Sequence, residues 1–176
     1  MAPPRRVMGR NAFFGKEVRS VTNEQLAAAM EAHGDMVYRL ALCRLRNPAD
    51  AEDVYQDVFL RLYGQRTERW DEAHLRAWLI RAAVNRCADV GRQRQRRGAL
   101  PLEEGLTAAA PEGAPEVWTA VAALPEKLRL AVHLHYGEGY TAEEIAAMLR
   151  VPAVTVRTRL YRGRQKLREL LGGDLR

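Results

Sequence analysis

Apolar residues recur along the chain at spacings of three and four, and no stretch alternates with the period of two that marks a half-buried strand. The pattern predicts helices nearly throughout. A first helix is expected from a cap at Thr22 or Asn23 through about His33. A second runs from about Asp35 to Arg46, with Met36, Val37, Leu40, Ala41 and Leu45 on one side. Asn47-Pro48 ends it, because the residue before a proline is pushed out of the α region. A third helix spans about Ala49 to Tyr63, and residues 64–74 read as a polar loop. A long fourth helix starts near Leu75 and extends to about Arg97. The pattern then lapses. Residues 98–115 carry Pro101, Gly105, Pro111, Gly113 and Pro115 around an Ala-rich middle, without a periodic apolar face. As a flexible coil that stretch spans about 24 Å. Four helical segments follow: Glu116–Ala123, Glu126–Tyr136, Thr141–Leu149 and Ala153–Leu171. The expected fold is all-α. A basic tail (1–21) precedes one small helical domain (22–97), and a linker (98–115) joins it to a second (116–176). The linker lets the two domains sit apart.

Two helical faces stand out. At about 100° per residue, Val54, Tyr55, Val58, Phe59, Leu62 and Tyr63 share one broad side of the third helix and should be core. Asp53, Gln56, Asp57 and Leu60 share the other. A large aliphatic group among two carboxylates and an amide suits a docking surface for a basic protein, although an acidic solvated face with one exposed Leu would read the same. On the fourth helix Leu75, Trp78, Leu79, Ala82, Ala83 and Val90 point inward. Arg81, Asn85 and Arg92 line one flank, where an amide and two guanidinium forks could follow a nucleic-acid strand. Asp89 is placed to hold Arg86 and Arg92. Trp70, near Arg66 and Arg69 in the loop, is the candidate platform for stacking a base.

The segment Thr141–Leu171 reads as a helix-turn-helix. Thr141 with Glu144 is a capping-box pair. Ile145, Met148 and Leu149 point inward, Arg150-Val151-Pro152 turns the chain, and Val156, Leu160, Leu167 and Leu171 form the buried stripe of the second helix. Its remaining surface shows Thr155, Arg157, Thr158, Arg159, Arg162, Gln165 and Lys166. That is the mixture a major-groove helix needs: short hydrogen-bonding groups for base edges and cations for phosphates. Tyr161 suits either a phosphate or a neighbouring helix. Gly163, at a cost of about 1 kcal/mol relative to Ala, allows either close helix packing or close approach of a phosphate.

Charge sharpens this picture. The 176 residues hold 28 Lys plus Arg against 22 Asp plus Glu, a net charge of +6. Seven arginines lie from Arg76 to Arg97 with one acid, Asp89, among them; Arg150 to Arg168 contains no acid at all. Asp50, Glu52, Asp53 and Asp57 cluster elsewhere. Nucleic acid is the partner such basic tracts fit. No apolar run is long enough to span a membrane, and the N-terminus lacks the apolar core of a secretory signal. Cys43 and Cys87 form no disulfide framework and suit a reducing cytoplasm. Catalysis is not expected. His33, His74, His133 and His135 accompany no carboxylate cluster at ligand spacing, and no Gly-rich phosphate loop is present. Neither metal nor cofactor is implied.

Three stretches in this order resemble a bacterial RNA polymerase sigma factor of the extracytoplasmic-function (ECF) class. AEDVYQDVFLRLY (51–63) is similar to region 2.2, and LRAWLIRAAVNRCADVGRQRQRR (75–97) to regions 2.3 and 2.4. LPEKLRLAVHLHYGEGYTAEEIAAMLRVPAVTVRTRLYRGRQKL (124–167) is similar to region 4. The resemblance implies a factor that binds core RNA polymerase and directs promoter recognition, DNA melting and transcription initiation. Asp53, Gln56, Asp57 and Leu60 would dock on the β′ clamp helices. Arg81, Asn85, Arg92 and the Trp70 loop would meet the minus-ten element. Arg150, Thr155, Arg157, Thr158, Arg159, Arg162 and Lys166 would meet the minus-thirty-five element, and region 4 would also touch the β flap. An anti-sigma factor wedged between the domains is a further partner the resemblance implies. Relatives often carry glycine where this chain has Arg150 and Val154. The rival reading is a helix-turn-helix regulator that acts without replacing sigma.

Overall fold

The computed structural model describes residues 21–67, 69–96, 98 and 116–172. These form seven α-helices and one π-helical turn: α1 (Asn23–Leu45), α2 (Pro48–Tyr63), α3 (Glu72–Arg96), α4 (Glu116–Ala122), α5 (Glu126–Val132), the π turn (His133–Gly137), α6 (Ala142–Leu149) and α7 (Ala153–Leu170). No strand occurs among the described residues. Apart from Val21 and Gly98, the basic tail and the linker lie outside them.

Local chemistry places most helix ends. Thr22 accepts from the Gln25 amide at 3.2 Å, and the Gln25 side chain accepts from the Thr22 amide at 3.0 Å. This reciprocal box satisfies two backbone donors that a helix start leaves unpaired. Val21, just before the cap, is buried and belongs to the folded unit, not to the tail. α1 then runs unbroken to Leu45, where two helices meeting near His33–Asp35 were expected. Gly34 does not end it. A Cβ there would lie 3.1 Å from the Tyr55 hydroxyl, so the glycine makes room for α2. Packing along the whole α1–α2 seam outweighs the roughly 1 kcal/mol that an interior glycine costs. α1 ends on Arg46 in the left-handed region, φ 54°. Asn47 then caps α2 by accepting from the Asp50 amide at 3.0 Å, and Pro48 takes the first helical position.

α1, α2 and α3 pack as a three-helix unit around Val37, Leu40, Ala41, Val54, Val58, Leu62, Leu79 and Ile80. Tyr63 departs from the expected inward face and is exposed at 45%, because α2 has reached the edge of the unit. Trp78 and Leu75 are only half-buried, while Ile80 and Cys87 complete the α3 core. α4 to α7 form the second unit around Leu124, Leu130, Ala131, Val132, Leu134, Ile145, Val156 and Leu160. The capping box of α6 is present, with the Glu144 carboxylate accepting from the Thr141 amide at 2.8 Å. Gly163 resolves to packing: a Cβ there would stand 2.7 Å from Val132 Cγ2, so its absence lets α7 lie close on α5.

The two units do not sit apart. α5 meets the C-terminal end of α1, and α6 lies against α3. Charge complementarity draws them together, with Arg39, Arg44 and Arg76 on one side and Glu126 and Glu138 on the other.

Candidate nucleic-acid interface

α3 carries the first basic tract, and most of its cations already have partners. Arg86 pairs with Asp57 of α2, Arg94 with Asp50, and Arg92 with Asp89. Asp89 thus holds Arg92 as expected but not Arg86, which reaches across to α2. The reason is packing: α2 and α3 lie side by side, which puts Asp57 within reach of Arg86. Asn85 and Arg92 are exposed, while Arg81 is half-buried and lines a cleft of about 1010 Å³ between the units. Arg76, at the start of the same helix, turns to the second unit. Its guanidinium donates to the Glu138 carbonyl at 3.1 Å and carboxylate at 3.2 Å, and it stacks 5.0 Å above the Tyr140 ring.

Trp70 is not a free-standing platform. Its ring lies 5.6 Å from that of Trp78, tilted by 42°, so that only part of it faces solvent. With Thr67, Leu62, Leu75 and His33 it lines a second hollow of about 350 Å³. Trp78 does not line that hollow, so a base entering there would meet Trp70 alone of the two tryptophans.

α7 carries the second tract. Val156, Leu160, Gly163 and Leu167 are buried, and Leu171 is half-buried. Arg157, Thr158, Arg162 and Lys166 are exposed, whereas Thr155 and Arg159 are half-exposed. Arg157 is tied to Glu143 of α6 at 2.5 Å, and that bond holds the Glu143 carboxyl below its ordinary pKa. The Thr158 hydroxyl donates to the Val154 carbonyl at 2.8 Å. Its donor is spent on its own helix, which leaves the oxygen as an acceptor. Arg150 adopts φ 54°, ψ 46° at the C-cap of α6, the left-handed conformation glycine takes most easily. Its side chain is exposed beside the turn.

On α2 the side opposite the core presents Asp53, Gln56 and Leu60, all exposed, Leu60 by 69%. Asp57 stands apart from them, half-buried and held by Arg86. The acidic face is therefore smaller than its sequence suggests.

The chain matches the sigma-70 region 2 model over residues 29–97 and the sigma-70 region 4 model over residues 115–167. It is 33% identical to the ECF RNA polymerase sigma factor SigM of Mycobacterium tuberculosis, a match covering 98% of this chain and 95% of that protein. It belongs to the ECF RNA polymerase sigma factors. SigE of Mycolicibacterium smegmatis is also 33% identical, with 89% of this chain and 67% of that protein covered. Among solved structures, the sigma factor RpoE of Bartonella quintana, in complex with the anti-sigma factor NepR, superposes with a TM-score of 0.69 at 22% identity, covering 86% of this chain and 99% of that one. CnrH, in complex with the cytosolic domain of CnrY, gives 0.59 at 23% identity, with 87% and 91% covered. This sigma factor acts in promoter recognition and transcription initiation, and the rival reading as a stand-alone regulator is not favoured. No helix among the described residues is long and apolar enough to cross a membrane.

The sequence offered little sign of the residues that join the two units. Arg129 is 6% exposed, yet it lies between Leu128 and Leu130 with nothing to mark it out. Its guanidinium group donates to Cys43 O at 2.5 Å, Leu124 O at 2.6 Å and Ala122 O at 3.1 Å. Burial lowers its pKa from the ordinary value. The carbonyl of Cys43 is in the last turn of α1, and Ala122 ends α4, so one arginine serves two helix ends whose carbonyls have no helical partner. Cys43 and Cys87 thiols are pushed up to about 11 and about 12 by burial, so both stay protonated at neutral pH.

Proposed function

We propose that this sigma factor divides its work between the two units. α3, through Arg81, Asn85 and Arg92 with the Trp70 hollow, takes the opened minus-ten strand. α7, through Thr155, Arg157, Thr158, Arg159, Arg162 and Lys166, with Arg150 at the turn, takes the minus-thirty-five duplex. Asp53, Gln56 and Leu60 dock on the β′ clamp of core RNA polymerase, and Asp57 contributes by holding Arg86. The second unit also meets the β flap. The chain makes and breaks no bond and works in the cytoplasm. An anti-sigma factor is a further partner, in keeping with the complexes in which RpoE and CnrH were solved.

The observation that carries this reading is the outer face of α7: cations and hydroxyls on one side of a helix that follows a capped turn, over a buried stripe. Phosphate contacts set affinity and its salt dependence, while the N-terminal hydroxyls are placed for base edges. Run-off transcription with purified core polymerase tests it. Wild-type chain should yield transcript, and Leu60→Ala should reduce the yield by lowering affinity for core. Arg162→Ala should lower the salt slope of minus-thirty-five binding by about 0.9 if one phosphate contact is lost. Failure of the wild type to yield transcript from any promoter of its genome would overturn the reading.

A further inference from the structure

At about 100° per residue, the buried stripe of α7 fixes which residues lie directly opposite it. Val154, Thr158, Tyr161 and Gln165 stand in line there, at spacings of four, three and four. Arg157 and Arg168 border this ridge on one side, Arg162 and Lys166 on the other, and all four are exposed. A helix laid in a major groove along the ridge turns a cation-bearing shoulder to each phosphate backbone and the ridge itself to the base edges. The first position of the ridge is aliphatic. Val154, in the first turn of α7, is exposed by 63% and belongs to neither core. Helix chemistry does not call for it, because a β-branched residue is among the weaker helix formers. One turn on, the Thr158 hydroxyl donates to the Val154 carbonyl at 2.8 Å, so the first two positions of the ridge hold no free hydrogen-bond donor. Arg157, beside them, is held by Glu143 of α6.

We infer that Val154 is a base-specificity residue, which reads a thymine of the minus-thirty-five duplex through its C5-methyl group. The inference rests on α7 being the minus-thirty-five helix. Opposite a purine or a cytosine, Val154 would cover a polar edge and offer nothing in place of the water removed, which is unfavourable. Thymine differs, because its C5-methyl is an apolar group exposed in the major groove. The valine methyls bury it, and a side chain already stiff at χ1 loses little freedom in doing so. The cations around Val154 act on any sequence and set the salt dependence of binding. The valine adds affinity only where thymine stands.

The test uses the full chain with core RNA polymerase and a duplex DNA library randomised over the length of a promoter, carried through rounds of selection. The wild type should enrich a thymine, on either strand, at one minus-thirty-five position. Val154→Ala should lose the preference at that position alone, and because Val154 is exposed the change removes no buried packing. The selected duplex is then made with deoxyuridine in place of that thymine, which deletes the methyl and leaves the hydrogen-bonding groups as they were. Wild-type binding should weaken about fourfold, the worth of about one buried methyl, while binding by Val154→Ala should not respond. The salt slope should be the same for both proteins, since no cation is removed. Base preferences in Val154→Ala identical to those of the wild type would overturn the inference, as would an equal response of both proteins to deoxyuridine. The two levels fail differently. If the wild type enriches no minus-thirty-five sequence at all, the reading of α7 is wrong and the inference goes with it; if it enriches one that Val154→Ala reproduces, only the valine is misassigned.

Discussion

Single residues decide several points that composition leaves open. Gly163 is one of them. Alanine there would add helix propensity worth about 1 kcal/mol, yet its methyl would press into Val132, a stiff β-branched side chain that is itself buried. Overpacking of this kind costs about 1–3 kcal/mol. Gly163→Ala should therefore destabilise the protein, and urea unfolding should register a net loss. Arg150 is the opposite case. A non-glycine residue in the left-handed region carries about 1 kcal/mol of strain, so Arg150→Gly should raise the urea midpoint even as it removes a proposed phosphate contact. A lower midpoint would show that the side chain contributes more through packing than the backbone loses. Gly163 was conspicuous in the sequence as a departure from good helix chemistry, and Arg150 as a residue of the turn where relatives often carry glycine. Only the neighbouring helix shows that the first is about packing, and only the backbone shows that the second is left-handed.

At the scale of elements, caps and breakers were legible because they act within four residues. Thr22, Asn47, Pro48 and Thr141 stand where their chemistry requires. The α1 expectation failed at Gly34 because its reason for being there is Tyr55, which is distant in sequence. The π turn after α5 was likewise hidden. It places His133 inside, where burial lowers its pKa despite the carboxylate of Glu138 nearby. Arg39, which faces the same carboxylate, also disfavours the charged imidazole. A buried neutral histidine binds its proton less readily than the unfolded chain does. Stability is therefore full above the ordinary value of 6.5 and is lost as pH falls below it. The thermal midpoint should drop between pH 7.5 and 5.5, and His133→Leu should flatten that dependence. An unchanged slope in the variant would assign the acid sensitivity to another group.

For the whole molecule the arginines are the issue. The α3 tract reads as free positive charge, but Arg76, Arg86, Arg92 and Arg94 each face a carboxylate. The exposed α7 face keeps more of its charge for a partner. Arg129 joins the units through helix-end carbonyls, and replacing it with methionine would leave those buried acceptors without a donor. Each such group costs about 1–3 kcal/mol. Arg129→Met should therefore lower stability and separate the units, which small-angle scattering would record as a larger radius of gyration. An unaltered radius would show that the carboxylate pairs alone hold the contact. From the sequence by itself came most of the helices, the caps at Thr22 and Thr141, the basic tracts and the family, because periodicity, capping and motif order are local properties of the chain. Only the tertiary structure decided which charges are already spent and that the two units touch, because those pairings depend on how helices far apart in the chain lie against one another.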